Sequence, residues 1–198
     1  LKVDIGVFTN LGLDHLDFHK TQEEYFQTKL KLFKRLNKKS TAIINIDDKN
    51  SNDIIKSIKC KYLTYGFKEN SDLTIIDSKI TLNSSYAKIK YNTNYYDIKT
   101  NLIGKFNLYN ISASILCCLK IGISIDNIID SIKKLNDIPG RLEKYTIPLN
   151  NSIAIIDYAH SPDAFKNIFK CINEFRQSKK VITVFGCGGN RDQYKRPK

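Results

Sequence analysis

Apolar β-like runs alternate with helix-like segments in the first third of this chain, and that alternation most limits the folds open to it. Residues 3–10 predict a buried strand. Residues 22–36 carry apolar side chains three or four apart, which predicts an amphipathic helix with Thr21 as its N-cap. Strands at 41–45 and 60–67, separated by a short helix, continue the pattern. It predicts an α/β fold with right-handed βαβ units on a parallel sheet.

The pattern changes between about residues 72 and 103, where apolar and polar side chains alternate. This period of two predicts antiparallel strands with one face exposed. After a break at Gly104 we expect helices at 107–121 and near 124–135.

The loop-like segment NDIPG leads into a second α/β stretch. Residues 151–175 predict a strand, a loop and a helix, and KKVITVFGCGGNRD predicts a strand followed by a glycine-rich loop. We therefore place a domain boundary near Pro139–Gly140.

Charge and composition narrow the function classes. The formal net charge is +12, but the lysines are spread along the whole chain rather than gathered in one stripe. We therefore expect no nucleic-acid partner, and the surplus suits an anionic small-molecule substrate. No apolar run approaches the ~20 residues of a membrane span, and no signal-peptide pattern is present. Five cysteines, an odd number without a CxxC pair, predict free thiols in a reducing cytoplasm. We also expect a monomer without membrane contact.

The segment DHLDFH directly follows the first predicted strand. Ligands of open α/β sheets bind at the carboxyl ends of strands, so His15 could contact a metal or a phosphate. It could equally be a surface or capping histidine. Lys29 lies on the apolar flank of the next helix, where a lysine usually extends its amine to solvent. Desolvation there would instead lower its pKa and make it reactive.

Two further segments suit an anionic ligand. In GKFNLYN, Asn107 and Asn110 are three apart at a helix start, so both amides could face one ligand. Asn107 could equally be a plain N-cap. In PGRLE, Arg141 lies at the domain junction, and its planar guanidinium suits phosphate.

The last candidates belong to the second α/β stretch. Asp157 ends a strand, as ribose-binding carboxylates often do, while Ser161 and Asp163 also fit the start of a helix. A glycine-rich loop then allows close backbone approach to a ligand. Polar and cationic residues follow that loop: Asn190, Arg191, Asp192, Lys195 and Arg196.

These segments occur together in one known family. TNLGLDHLDFH…K, GKFNLYN, PGRLE, DYAHSPDA and VFGCGGNRDQYKRP resemble, in order and spacing, the motifs of Mur ligases, most of all the MurE type. The resemblance spans residues 7–197, with 70–100 matching only in general pattern. It implies a partial central ATP-binding domain over 1–139, without its phosphate loop, and the start of a Rossmann-like C-terminal domain over 140–198.

The resemblance also implies an activity. MurE-type enzymes use ATP and Mg²⁺ to activate a carboxylate of UDP-MurNAc-L-Ala-D-Glu as an acyl phosphate. They then add meso-diaminopimelate or L-lysine in peptidoglycan synthesis. By motif, His15 matches a metal-site histidine, and Lys29 matches a lysine that CO₂ carbamylates into an anionic metal ligand. With Arg141, these two are the candidate catalytic residues.

The resemblance assigns the remaining positions to nucleotide and substrate. Asn107 and Asn110 match a pair near the adenine, Arg141 a phosphate contact, and Asp157 with Tyr158 the ribose side. Asn190 stands where the family usually has aspartate, which removes one charge. The candidate substrate contacts are His160, Asp163, Arg191 and Asp192.

Three alternatives remain at this point: a folylpolyglutamate synthase-like ligase, a basic nucleic-acid-binding module and a decayed remnant. The resemblance places the phosphate loop before residue 1 and the amino-acid selectivity motif after residue 198. We therefore expect an internal piece of a longer protein that has no ligase activity alone.

Overall fold

The computed structural model describes residues 2–12, 18–176 and 178–186. Over these ranges the chain forms an α/β fold, as predicted. In chain order the elements are β1 (Ile5–Phe8), α1 (Gln22–Lys34), β2 (Thr41–Asn45), α2 (Ser51–Ser57), β3 (Lys61–Gly66), β4 (Leu73–Ile80), β5 (Ser85–Tyr91), β6 (Asn94–Thr100), α3 (Lys105–Lys120), α4 (Ile125–Lys133), β7 (Glu143–Ile147), β8 (Ser152–Ile156) and α5 (Pro162–Phe175).

Strands β1 to β6 form one sheet in sequence order. The pairs β1–β2 and β2–β3 are parallel. The β3–β4 pair is also parallel but short, with partners Tyr65–Leu73 and Gly66–Thr74. Strands β4, β5 and β6 are antiparallel to one another. The predicted switch from parallel to antiparallel pairing is therefore confirmed.

Strand β2 shows why this sheet is covered on both faces. Its five residues are all buried, and successive side chains of a strand point to opposite faces. Ile44 packs in a cluster with Phe26 and Phe33 of α1, whereas Ile43 packs in a second cluster with Leu116 of α3. A fully buried isoleucine contributes about 1.5–3 kcal/mol to stability, so burial on both faces anchors the centre of the sheet.

The helix boundaries partly follow the sequence pattern. Thr21 caps α1 as predicted, because its Oγ1 accepts a hydrogen bond from the Glu24 amide at 3.1 Å. Helix α3 begins at Lys105, two residues earlier than predicted, with Gly104 as its N-cap. Asn107 lies inside the first turn, so its interpretation as an N-cap is wrong. Gly104 has φ of +101°, a left-handed conformation that lets the chain turn sharply into the helix.

The second α/β stretch contains a two-stranded antiparallel sheet, β7–β8, and helix α5. Strand β7 was not predicted, because most of its residues are exposed and show no buried period. The strand predicted after residue 179 is wrong within the described residues, which stay outside both sheets at 178–186. An extended segment needs a hydrogen-bonded neighbour to form a strand. None of the described helices is both long and apolar enough to cross a bilayer.

Candidate functional site

A cleft of about 640 Å³ lies between the carboxyl ends of β1 and β2 and the start of α5. Its volume falls in the range of small-molecule sites, which often lie between domains. Five candidates from the sequence line this cleft: Asn110, Arg141, Asp157, His160 and Asp163. The sequence analysis did not select several other polar residues of the lining, among them Asp47, Asp48, Lys105 and Tyr109.

The first two turns of α3 contain Asn107 and Asn110, and they present Asn110 to the cleft. Asn107 is buried, with 4% of its surface exposed. Its Nδ2 donates to the Ile103 carbonyl at 2.9 Å, and its Oδ1 accepts from Asn110 Nδ2 at 3.3 Å. Asn110 itself is exposed and lines the cleft. Of this pair, therefore, Asn110 is available to a ligand and Asn107 braces it from below.

The turn between the two halves places Arg141 at the cleft. Its neighbour Leu142 is 1% exposed and has φ of +47°. Left-handed backbone at a non-glycine residue costs about 1–3 kcal/mol. The Leu142 amide donates to Asp157 Oδ2 at 2.9 Å, which holds the turn in this conformation. The Arg141 guanidinium carbon lies 5.6 Å from the centroid of the Tyr158 ring, so Arg141 and Tyr158 are neighbours although Tyr158 does not line the cleft.

Asp157 joins two loops through one carboxylate. Its Oδ2 accepts from Leu142 and its Oδ1 accepts from the Ala159 amide at 2.8 Å. The Tyr158 amide donates to the Gly140 carbonyl at 2.8 Å and tightens the same junction. A carboxylate offers about four lone-pair positions, so Asp157 retains acceptor capacity for a ligand hydroxyl while it fixes the turn.

The start of α5 forms the opposite wall. Ser161 Oγ accepts from the Ala164 amide at 3.3 Å, and Pro162 opens the helix, as the sequence predicts. Asp163 lies in the first turn, and its Oδ2 is 3.6 Å from the position that a β-carbon on Gly12 would take. His160 Nδ1 lies 3.0 Å from the Tyr158 carbonyl oxygen. Asp163 thus faces the loop that follows β1, and His160 lines the cleft next to the start of α5.

Two aspartates after β2 were missed. Asp48 Oδ2 accepts from the Leu11 amide at 2.9 Å, and Asn45 Nδ2 donates to the Thr9 carbonyl at 2.8 Å. Both bonds tie the loop after β1 to the end of β2. The sequence could have indicated Asp47 and Asp48, because they closely follow a buried parallel strand. The same position after a strand was the reason for selecting His15.

Asp47 contacts helix α3 from the end of β2. Its Oδ2 accepts from the Tyr109 hydroxyl at 2.7 Å. Burial raises the pKa of Tyr109 above its ordinary value, and the hydrogen bond to Asp47 raises it further. Tyr109 therefore stays protonated at neutral pH and donates this hydrogen bond.

Lys29 is placed apart from the cleft lining. It is half-buried on α1, and its Nζ lies 4.7 Å from the centroid of the Tyr25 ring. His19 stacks on the same ring at 5.1 Å between centroids. The predicted partner His15 lies outside the described residues, as do Asn190, Arg191, Asp192, Lys195 and Arg196.

Within 2–12, 18–176 and 178–186 no group of three or more histidine, cysteine, aspartate or glutamate side chains is arranged to hold a metal ion. The predicted pairing of His15 with Lys29 therefore stays a prediction.

Comparison with protein families decides the classification. The Mur ligase middle domain matches residues 1–118, and the Mur ligase glutamate ligase domain matches residues 140–198. The chain belongs to the Mur ligase family. The resemblance inferred from the motifs is confirmed.

Individual relatives are similar to this Mur ligase chain over nearly all of its length. UDP-N-acetylmuramoyl-L-alanyl-D-glutamate–2,6-diaminopimelate ligase 1 of Clostridium acetobutylicum is 42% identical over 193 residues. The match covers 97% of this chain and 39% of that relative. The corresponding ligase of Aquifex aeolicus is also 42% identical, over 96% of this chain and 38% of its own length. The chain thus spans about two fifths of the curated relatives it matches.

A solved structure with the same enzyme description, UDP-N-acetylmuramoyl-L-alanyl-D-glutamate–2,6-diaminopimelate ligase, superposes with a TM-score of 0.72. It is 32% identical to this Mur ligase chain, and the match covers 98% of this chain and 40% of that structure.

Proposed function

We propose that this Mur ligase chain supplies the nucleotide site of an ATP-dependent amide ligase of peptidoglycan synthesis. The enzyme would add meso-diaminopimelate or L-lysine to UDP-MurNAc-L-Ala-D-Glu. The observation that carries this proposal is the convergence of Asn110, Arg141 and Asp157, from three separate segments, on one cleft. The diaminopimelate ligases among the relatives favour this reaction over that of a folylpolyglutamate synthase. We assign residues 1–139 to the central domain and 140–198 to the C-terminal domain, which the two family matches support.

The residues of the cleft fit ATP by their chemistry. The Asn110 amide can hydrogen-bond a base edge, the Arg141 guanidinium can bind phosphate oxygens, and the Asp157 carboxylate can accept from a ribose hydroxyl. Tyr158 flanks the guanidinium and limits its motion. Asn107 would act by bracing Asn110. When bound, ATP supplies the phosphoryl group that activates a substrate carboxylate, and Arg141 would offset the charge of the transferring group.

The motif resemblance also suggests which residues hold Mg²⁺ and which contact the substrates. Mg²⁺ in such enzymes is usually held by one or two protein carboxylates and by substrate phosphates. We propose His15 and a carbamylated Lys29 as its protein ligands, since a carbamate provides the carboxylate-like oxygens that Mg²⁺ prefers. We propose His160, Asp163, Arg191 and Asp192 as contacts to the UDP-MurNAc-dipeptide or the incoming amino acid.

Nucleotide binding by the site can be tested by calorimetry with ADP on the 198-residue chain. Arg141→Ala and Asn110→Ala should each weaken binding by roughly tenfold, the size expected when a hydrogen bond to a charged or buried group is lost. Lys144→Ala is the matched control for Arg141→Ala, because it also removes one positive charge. The Lys144 ammonium donates to the Leu82 carbonyl outside the cleft. Unchanged affinity in both cleft variants would exclude the site.

The substrate assignment needs an enzyme that includes this chain. Such an enzyme should release phosphate with UDP-MurNAc-L-Ala-D-Glu and an amino acid, and should not do so with folate. Phosphate release with folate alone would favour the second candidate.

A further inference from the structure

We propose that Asp47 is a positioning residue for the nucleotide site, acting on Asn110 through the Tyr109 hydroxyl. The inference rests on the proposed function of the cleft, because it concerns the placement of a residue assigned to the nucleotide. It concerns a carboxylate that the family motifs in this sequence do not include.

The Asp47 carboxylate lies at the meeting point of three segments. Its Oδ2 accepts from the Phe67 amide at 2.7 Å, and its Oδ1 accepts from the Lys68 amide at 3.2 Å. Its Oδ2 also accepts from the Tyr109 hydroxyl at 2.7 Å. One carboxylate therefore connects the end of β2, the loop after β3 and the second turn of α3. Hydrogen bonds to an ionised group are shorter and stronger than bonds between neutral groups.

The loop after β3 is shaped to admit this carboxylate. A β-carbon on Gly66 would lie 2.9 Å from the carboxyl carbon and from both oxygens of Asp47. Contacts this short do not occur at real β-carbons, so only glycine leaves the space. The Lys68 ammonium also donates to the Ile46 carbonyl at 2.8 Å, which closes the loop onto the end of β2.

A second set of contacts joins the same loop to α3. The Phe67 ring meets the Tyr109 ring edge-on, with centroids 5.2 Å apart. The Lys105 ammonium lies 3.9 Å from the Phe67 centroid, a cation–π distance. Helix α3 is thus held at its first residue and again at Tyr109, on the side of the helix that faces the ends of β2 and β3.

Asn110 follows Tyr109 directly, so a rotation or shift of this turn moves its amide. The turn has little to fix it from within, because the N-cap is a glycine that makes no side-chain cap hydrogen bond. Asn107 braces Asn110, and its own Nδ2 donates to the Ile103 carbonyl just before the helix. Leu108 and Ile111 pack in the core cluster with Ile43 of β2, so burial fixes the apolar side of α3. The bond from Tyr109 to Asp47 adds a polar link to the end of β2 at the residue next to Asn110, and it thereby helps to orient the Asn110 amide toward Arg141 and Asp157.

The test compares hydroxyl and carboxylate variants of the 198-residue chain in two measurements. The variants are Tyr109→Phe, Asp47→Asn and Asn110→Ala, with Tyr65→Phe as the matched control. Tyr65 is a buried tyrosine of the same core, but its hydroxyl donates to the Phe8 carbonyl at 3.3 Å instead of to the Asp47 carboxylate. The first measurement is amide hydrogen exchange over residues 105–111, and the second is ADP affinity by calorimetry.

We expect Tyr109→Phe and Asp47→Asn to speed exchange over residues 105–111 by roughly three- to tenfold, the loss expected for one hydrogen bond. Tyr65→Phe should leave exchange over these residues unchanged. Tyr109→Phe should also weaken ADP binding in the wild-type background and have no further effect in the Asn110→Ala background. This non-additivity distinguishes positioning from a general loss of stability, which would weaken binding in both backgrounds.

The exchange measurement tests the positioning role of Asp47, and the ADP affinities of Asn110→Ala and Arg141→Ala test the nucleotide site. Unchanged exchange in both Tyr109→Phe and Asp47→Asn would overturn the positioning role, whatever the nucleotide result. Equal losses of affinity in the two backgrounds would also overturn it. If Asn110→Ala and Arg141→Ala both bind ADP normally, the nucleotide site fails. Changed exchange in the Tyr109 and Asp47 variants would then support only the link between the sheet and α3.

Discussion

Gly104 and Leu142 both have left-handed backbone at the junction of the two halves, but for opposite reasons. At Gly104 the missing side chain is itself required, since an added β-carbon would lie 2.8 Å from the Phe106 ring and 3.2 Å from Cys171 Sγ. At Leu142 a large side chain is retained, because it is buried with Ile103 and Cys171. Packing therefore decides the residue type at one position and overrides the backbone preference at the other.

A substitution at Gly104 tests this account. Gly104→Ala should lower the free energy of unfolding by about 1–3 kcal/mol more than Gly122→Ala, the usual cost of forcing extra atoms into a packed site. Gly122 is the matched control, because its φ is +92° but nothing lies within 4 Å of an added β-carbon. The measurement is urea denaturation of the two variants. Equal losses would show that backbone conformation alone accounts for the effect.

At the scale of elements, the sequence predicted the segments whose burial is periodic. The alternation in β1–β3 and the period of two in β4–β6 follow directly from which faces are covered. Strand β7 could not be found in the same way, because it forms through pairing with β8 while most of its side chains are exposed. The role of Asp47 was hidden for another reason, since its partner Tyr109 lies 62 residues away in sequence.

The joint between α5 and the first sheet gives an element-scale prediction. Cys171 of α5 is buried at this joint, and burial raises the pKa of its thiol to about 12. The thiolate is the reactive form, so Cys171 should react with iodoacetamide far more slowly than the half-buried Cys118 at neutral pH. Mass spectrometry of partially labelled protein measures the order of labelling. Labelling of Cys171 as fast as Cys118 would contradict a closed joint.

At the scale of the whole molecule, the buried Tyr65 and the half-buried Tyr109 couple stability to alkaline pH. Burial is the main cause that raises the pKa of both Tyr65 and Tyr109 above the ordinary value. The folded protein therefore keeps these protons after the unfolded chain has released them. The contribution to stability is fully present below the unfolded pKa of about 10 and is lost as the pH rises above it.

Denaturation at several pH values checks this linkage. Between pH values of about 8 and 11, the free energy of unfolding should fall more steeply in the wild type than in Tyr65→Phe or Tyr109→Phe. The comparison with each variant removes the contribution of the many lysines, which titrate in the same range. Identical slopes in wild type and both variants would contradict the raised pKa values.

The conformation of Leu142 connects the two halves to the chemistry of the cleft. Its unfavourable backbone is sustained by a side chain lodged beside Cys171 and by the Asp157 carboxylate. Withdrawal of α5 would remove that anchor, and the freed backbone would relax toward ordinary angles and carry Arg141 with it. Separation of the halves would therefore also draw back Arg141, the proposed phosphate contact, and the energy released at Leu142 would offset part of the work of opening.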